Sequence, residues 1–328
     1  MSDVHVVGIG NALVDVVTHA DDAFIEKHGL ARGAATMVDA ARAESVYADL
    51  GPATESSGGS AANTIAGLAS FGASAAYVGR VRDDQLGHVF AHDLRALGVR
   101  YEVSPATAGA GTGRCLVMVT PDAQRTMCTY LGASSELHPD DIDREAVTSA
   151  QVTYLEGYLW DQPDAKLAIR HAANLAREAG RLVAFTLSDP FCVERHRAEF
   201  RALVEHEIDV LFANEAEICS LYEVDDFDAA LGHVYRHTEI AVLTRSAMGS
   251  VIVCGADKYV VDAFPIDELV DTTGAGDQYA AGFLYGLTHG HELPTCGRLG
   301  ALAAAEVIGH LGARPEVPLA TLAAQALD

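Results

Sequence analysis

The stretch Asp271-Thr272-Thr273-Gly274-Ala275-Gly276-Asp277-Gln278-Tyr279-Ala280-Ala281-Gly282-Phe283-Leu284 reads as a glycine turn that opens straight into a helix of small and apolar residues. The first N–H groups of a helix have no intrahelical acceptor, and the helix dipole adds partial positive charge at that end. Such an end holds phosphate with backbone alone. Gly274, Ala275 and Gly276 form a candidate anion cradle with Asp277 beside it. A carboxylate is a poor phosphate ligand but a suitable general base for a hydroxyl nucleophile. The alternative is a plain helix start in which Asp277 only matches the dipole. A bare G-x-G carries little specificity, but the flanking Asp271 and the embedded Asp277 favour a site.

Charge sharpens the point. The 328 residues hold 22 Lys+Arg against 46 Asp+Glu, a formal net charge of −24. Only Lys27, Lys166 and Lys258 are lysines, and none follows a glycine, so a P-loop is absent. So acidic a chain is repelled by nucleic acid and by anionic membranes, and neither is expected as a partner. The start, Met1-Ser2-Asp3-Val4-His5, has no basic region, so no signal peptide is expected. No apolar run approaches the ~20 residues of a membrane span. Cys115, Cys128, Cys192, Cys219, Cys254 and Cys296 are scattered without a C-x-x-C pair. They read as reduced thiols of a cytoplasmic protein.

Around the cradle the chain alternates strand and helix. Val4 to Ile9 is a buried strand, Ser60 to Phe71 a small-residue helix, Ala76 to Val81 a strand, and Leu86 to Leu97 an amphipathic helix. The alternation resumes with a helix over 139–149 and a strand over 152–155. A helix over 164–179 and a strand over 182–186 come next. A helix begins near Glu194, and strands at 210–213 and 240–244 follow. An antiparallel pair covers 250–254 and 258–262, and the last third is helical, over 275–287 and 295–310. This predicts an α/β fold with a mostly parallel sheet between helices. Two stretches break the pattern. Leu116–Val119 and Thr126–Tyr130 fit a hairpin around Pro121-Asp122-Ala123-Gln124. Residues 15–39 and 105–131 therefore read as a small β lid, with 1–14, 40–104 and 132–328 as the core.

Three further motifs accompany the cradle. Ser57-Gly58-Gly59-Ser60-Ala61-Ala62-Asn63 enters a helix through paired glycines that let a ligand approach the backbone. Asn63 offers a donor and an acceptor to vicinal hydroxyls; a serine-capped helix entry is the equal alternative. Gly8-Ile9-Gly10-Asn11-Ala12-Leu13-Val14-Asp15 has Leu13 where a dinucleotide fingerprint needs its third glycine, which excludes a Rossmann site. Asn11 and Asp15 remain as polar groups beyond a strand end. In Asn214-Glu215-Ala216-Glu217, Asn214 and Glu217 share a helix face and suit water-mediated Mg²⁺ binding; helix capping is the simpler reading. His88, His92, His289 and His291 join no metal motif, and no G-x-S-x-G elbow is present.

Together, Gly58-Gly59-Ser60-Ala61-Ala62-Asn63 and the stretch from Asp271 to Leu284 resemble the two signatures of the PfkB (ribokinase-like) family of carbohydrate and nucleoside kinases. The resemblance runs over nearly the whole chain. Gly10-Asn11-Ala12-Leu13-Val14-Asp15 and Thr186-Leu187-Ser188-Asp189-Pro190-Phe191 look most similar to the adenosine kinase branch. The resemblance implies a ribokinase-like fold and an ATP- and Mg²⁺-dependent kinase. Asp15, Gly58, Gly59 and Asn63 would hold ribose hydroxyls, with Asn11, Leu13 and Tyr158 near the base. Arg125 would reach the transferred phosphate, and Asn214 and Glu217 would organise Mg²⁺ through water. Thr244 and Gly249 would line the ATP site, Gly274 to Gly276 would form the anion hole, and Asp277 would deprotonate the 5′-hydroxyl. Asp271 and Thr273 match positions that can serve a K⁺ site.

Two departures stand out: Ala216 replaces the usual Pro or Thr, and Glu306 stands where a small residue is expected near adenine. The expected reaction is phosphorylation of a purine nucleoside, most readily adenosine. The rivals are a sugar kinase of the same family, acting on ribose or a related sugar, and a catalytically silent nucleotide-binding regulator. Monomer and homodimer both stay open.

Overall fold

Runs such as Val6–Ile9, Ala75–Val78 and Val152–Glu156 lack polar alternation, as strands covered on both faces do, and all three are buried throughout. The structure, a computed structural model, describes residues 4–122 and 124–327. Its strands are β1 (Val6–Ile9), β2 (Leu13–His19), β3 (Ala35–Met37), β4 (Thr54–Gly58), β5 (Ala75–Val78), β6 (Gly113–Val119) and β7 (Arg125–Tyr130). They continue with β8 (Val152–Glu156), β9 (Leu182–Thr186), β10 (Val210–Asn214), β11 (Ile240–Thr244), β12 (Ser250–Cys254) and β13 (Asp257–Val261).

An eight-stranded sheet runs in the order β13-β12-β11-β10-β9-β8-β1-β5. It is parallel from β5 to β11, and the last two strands at the other end, β12 and β13, are antiparallel. Helices cover it, which gives the ribokinase-like α/β architecture. A five-stranded sheet, β3-β7-β6-β2-β4, stands beside it. The expected hairpin is there, with Leu116 opposite Cys128; Ala123 of its turn lies outside the described residues. β4 falls within the stretch 40–104 that the sequence assigns to the core, yet pairs antiparallel with β2 in the second sheet.

Two helix expectations are corrected. Residues 139–149 do not form one helix: a 3₁₀ turn covers Pro139–Asp141, and Asp143 then caps a new helix, Arg144–Ser149, by accepting from the N–H groups of Glu145 and Ala146. The helix expected from about Glu194 starts earlier, at Pro190, because Asp189 caps it and proline is well placed in a first turn. Aspartate performs this task repeatedly. Asp21, Asp39, Asp84 and Asp226 each cap a further helix, so part of the acidic surplus is placed against helix dipoles. Each such cap contributes roughly 1 kcal/mol.

The core is continuous beneath the large sheet. Trp160, Phe185 and Phe200 meet edge to face, with ring centroids 5.0–6.4 Å apart. All six cysteines are free thiols. Among the described residues no helix is long and apolar enough to cross a membrane.

Candidate active site

The carboxyl ends of parallel strands are where open α/β sheets bind ligands. Here β1 runs out into Asn11, β8 ends at Glu156, β10 at Asn214 and β11 at Thr244, the last two being register partners. The helices Ser60–Ser70 and Ala275–Thr288 begin at the same edge, and they pack against each other.

Gly274, in the left-handed region at φ 77°, precedes the helix Ala275–Thr288 and makes no side-chain cap. The N–H of Ala275 bonds the Thr272 carbonyl, while Gly276 and Asp277 lie in the first turn, where helix geometry supplies no acceptor. A Cβ at Gly276 would meet nothing within 4 Å, so open space lies over the cradle. Asp277 turns toward the other helix. Ser60 Oγ donates to its Oδ1 at 2.6 Å and Asn63 Nδ2 to its Oδ2 at 3.2 Å. Burial raises this carboxyl's pKa, while those two bonds and the Arg314 charge lower it.

This geometry makes a specific forecast. Gly276→Ala puts a methyl into the open space and improves helix propensity. Its melting temperature should equal or exceed the wild type's, while affinity for a phosphate-bearing ligand falls about 100-fold, because the methyl occupies the space the anion would take. A thermal melt and a ligand-binding titration check it; unchanged affinity would remove the cradle from the site.

The second sheet supplies the other wall. Leu13 lies opposite Gly58 across β2 and β4. A Cβ at Gly58 would fall on the Asp15 carboxylate, and one at Gly59, at φ 97°, on the Asn11 carbonyl. The paired glycines thus let Asp15 and the strand end close on the helix start. Burial pushes the Asp15 carboxyl up to about 6, against the lowering pull of Arg314 and Arg125.

Arg314 is a residue the sequence reading missed. Its Nε donates to Asn63 Oδ1 at 2.9 Å and its terminal nitrogen to the Ser57 carbonyl at 2.7 Å. Ser57 in turn donates its N–H and Oγ to Asp93, also missed. No local pattern marks either residue.

Glu156 was missed as well. It is 1% exposed and takes bonds from the Asn11 N–H, Asn11 Nδ2 and the Ala61 N–H. Burial pushes its carboxyl up to about 7. Asn11, expected near a base, has its carboxamide committed at both ends, since Ser134 Oγ donates to its Oδ1. Tyr158 donates its hydroxyl to the Ser188 carbonyl at 3.3 Å, and Ser188 holds a φ of 75°.

Asn214 and Glu217 form a reciprocal capping box: Glu217 N–H bonds Asn214 Oδ1, and Asn214 Nδ2 and N–H bond the carboxylate. The capping alternative is therefore realised. Glu217 is also pushed up to about 7, by burial and by facing Asp189 and Asp277. Among the described residues no three His, Cys, Asp or Glu side chains form a protein-only metal cage. A carboxylate in an acidic, oxygen-lined corner fits Mg²⁺, which usually retains several waters and phosphate ligands. Gly249 closes the 3₁₀ turn after Thr244 that returns the chain to β12. Glu306 accepts the N–H groups of Glu316 and Val317, so it pins the segment that carries Arg314.

Arg125, on β7, reaches across to the cradle. It donates to Thr273 Oγ1 at 3.0 Å and pairs with Asp271 at 2.5 Å, its side chain 9% exposed. Asp271 also accepts from the Thr273 N–H and Oγ1 and from the Gly312 N–H. A strand of the small sheet is thereby docked on the helix start that would hold phosphate.

The sequence profile of the "pfkB family carbohydrate kinase" matches residues 34–320. The crystal structure of adenosine kinase from Sinorhizobium meliloti is 51% identical, covering 99% of this chain and 100% of that one, with a TM-score of 0.93. A probable sugar kinase protein from Rhizobium etli CFN 42 is 48% identical, covering 99% of each chain, also at 0.93. Adenosine kinase of Saccharomyces cerevisiae is 28% identical over 93% of this chain and 94% of its own.

Proposed function

We propose that this chain, which belongs to the pfkB family of carbohydrate kinases, transfers the terminal phosphate of ATP to the 5′-hydroxyl of a purine nucleoside, most readily adenosine. The observation that carries the reading is the convergence at one helix start. There the Asp277 carboxylate is held by Ser60 and Asn63, the unpaired first-turn N–H groups stand beside it, and Arg125 crosses over from the small sheet.

Asp15, Asn63 and the backbone at Gly59 receive the ribose hydroxyls, which sets the 5′-oxygen beside Asp277. As that oxygen attacks, Asp277 accepts its proton. Little covalent work is asked of the protein in phosphoryl transfer; position and charge stabilisation dominate. The first-turn N–H groups and Arg125 face the negative charge that develops on the transferred group. Bound Mg²⁺, held through water by Asn214 and Glu217, would neutralise nucleotide phosphate charge. Thr244 and Gly249 border the nucleotide. The small sheet, latched by Arg125, keeps water from the phosphate, so the hydroxyl and not water is the acceptor.

The second reading is a sugar kinase of the same family. The commitment of the Asn11 carboxamide to Glu156 and Ser134 favours it, because that amide is not free to read a base edge. Against it stands the 51% identity to the adenosine kinase of Sinorhizobium meliloti, set against 48% to the probable sugar kinase protein of Rhizobium etli CFN 42. An ADP-release assay with ATP-Mg and adenosine, inosine, guanosine, cytidine, ribose or fructose separates them. Adenosine-dependent turnover is expected to have the highest kcat/KM. A higher value for ribose or fructose moves the assignment to sugars, and no turnover with any acceptor leaves the silent regulator.

A further inference from the structure

Three carboxylates, Asp15, Asp93 and Asp277, come from three different elements, and the Arg314 guanidinium stands among them, with Arg125 also acting on Asp15 from β7. Arg314 belongs to no helix or strand. Its segment is tied down on four sides: Gly312 N–H to Asp271, the Ala313 carbonyl to Gln278 Nε2 at 2.9 Å, Arg314 itself to Asn63 and Ser57, and Glu316 and Val317 to Glu306. The guanidinium is therefore delivered with little freedom, as a positioning group requires.

We propose that Arg314 is a positioning residue for the phosphate acceptor: by holding Asn63 Oδ1 it turns the Asn63 amide toward Asp277, and it places a positive charge beside the pocket's carboxylates. This rests on the kinase reading above. The first half follows from the donor inventory. An amide has one acceptor end and one donor end. Arg314 can only donate, so it takes the oxygen and leaves Nδ2 for Asp277 at 3.2 Å. Without it, either end of the amide can face the carboxylate, and an oxygen there repels it. The second half follows from the charges around the guanidinium. Asp15 faces it from β2, Asp93 from the helix Gln85–Ala96, Tyr77 from β5 and Asp277 from the helix Ala275–Thr288. Glu156, at the end of β8, adds a further acidic group near Asp277. Arg314 lowers the pKa of both Asp15 and Asp277, so its loss raises both.

The test compares full-length wild type, Arg314→Gln and Arg314→Lys, with the acceptor and ATP varied separately from pH 5.5 to 8.5. Arg314→Gln should raise KM for the acceptor about tenfold or more and leave KM for ATP within about twofold. It should also move the acidic limb of the acceptor kcat/KM profile up by about one pH unit. Arg314→Lys keeps the charge but not the planar fork, so the limb should return toward wild type while the acceptor KM stays high. If Arg314→Gln does not fold, the lysine variant alone still separates limb from KM. Limbs at the wild-type position in every folded variant with an unchanged acceptor KM, or both KM values rising together, overturn the proposal. Absence of turnover in the wild type with every acceptor overturns the kinase reading itself, and this inference with it.

Discussion

Asp277→Asn folds, binds both substrates with KM values within a few-fold of wild type, and loses kcat by about 10³-fold, in the range for removal of a general base. Asparagine keeps the size and can still accept from Ser60, but it cannot take a proton at neutral pH. Its NH₂ also meets the Asn63 NH₂, which Arg314 holds in place. The variant separates catalysis from stability. In the folded chain burial raises the Asp277 pKa, so its ionisation costs stability progressively from about pH 4 upward. The amide removes that cost but sets its NH₂ against the Asn63 NH₂, so the melting temperature at pH 8 should lie within a few degrees of the wild type's. Single-turnover measurement with preloaded ATP-Mg isolates the chemical step. A rate near wild type there would exclude Asp277 as the base.

Arg125→Ala should lower kcat by about 10³-fold, the scale seen when a transition-state arginine is withdrawn from phosphoryl transfer. Acceptor binding should change little, because Arg125 enters from β7 and not from the strand pair that bears Asp15 and Gly58. The fold should survive, since Asp271 keeps its bonds from the Thr273 N–H, Thr273 Oγ1 and the Gly312 N–H. The latch would not survive, so acceptor-independent ATP hydrolysis should rise relative to transfer. Arg125→Lys should be intermediate, with the charge kept and the two-point contact to Thr273 and Asp271 lost. The readout is the ratio of nucleoside phosphate to ADP formed. A ratio at the wild-type value together with near-normal kcat would remove Arg125 from both roles.

The contacts explain why some of the site was legible and some was not. The cradle is local chemistry. Glycines, a helix start and an acid seven residues or fewer apart state it in one line of sequence, and the structure places those atoms together with no outside help. Ser57 to Asn63 is nearly as local. Asn214 and Glu217 are just as local, and of their two readings the mutual capping box is the one the contacts realise. Glu156, Asp93 and Arg314 have no such mark. Glu156 is the last residue of an apolar strand, and Arg314 sits in an irregular segment, so neither carries a spacing that points anywhere. The contacts of the three are to Asn11, Ser57 and Asn63, far off in the chain. β4 escaped for a related reason: Thr-Glu-Ser-Ser-Gly has no hydrophobic alternation, and it is a strand because β2 offers it a partner.

The sequence by itself determined the parallel sheet, the glycine-led helix start without lysine and the carboxylate beside it, because periodicity and helix-end chemistry act over a few residues. It also showed that a net charge of −24 places no bar on a phosphate ligand, since backbone N–H groups carry no formal charge. Only the tertiary structure decided which charges surround that carboxylate. Arg125 comes from β7 and Asp15 from β2, two strands away in the same small sheet, and Arg314 from the C-terminal segment. The field at Asp277 is a sum over groups close in space, and distance along the chain does not enter Coulomb's law.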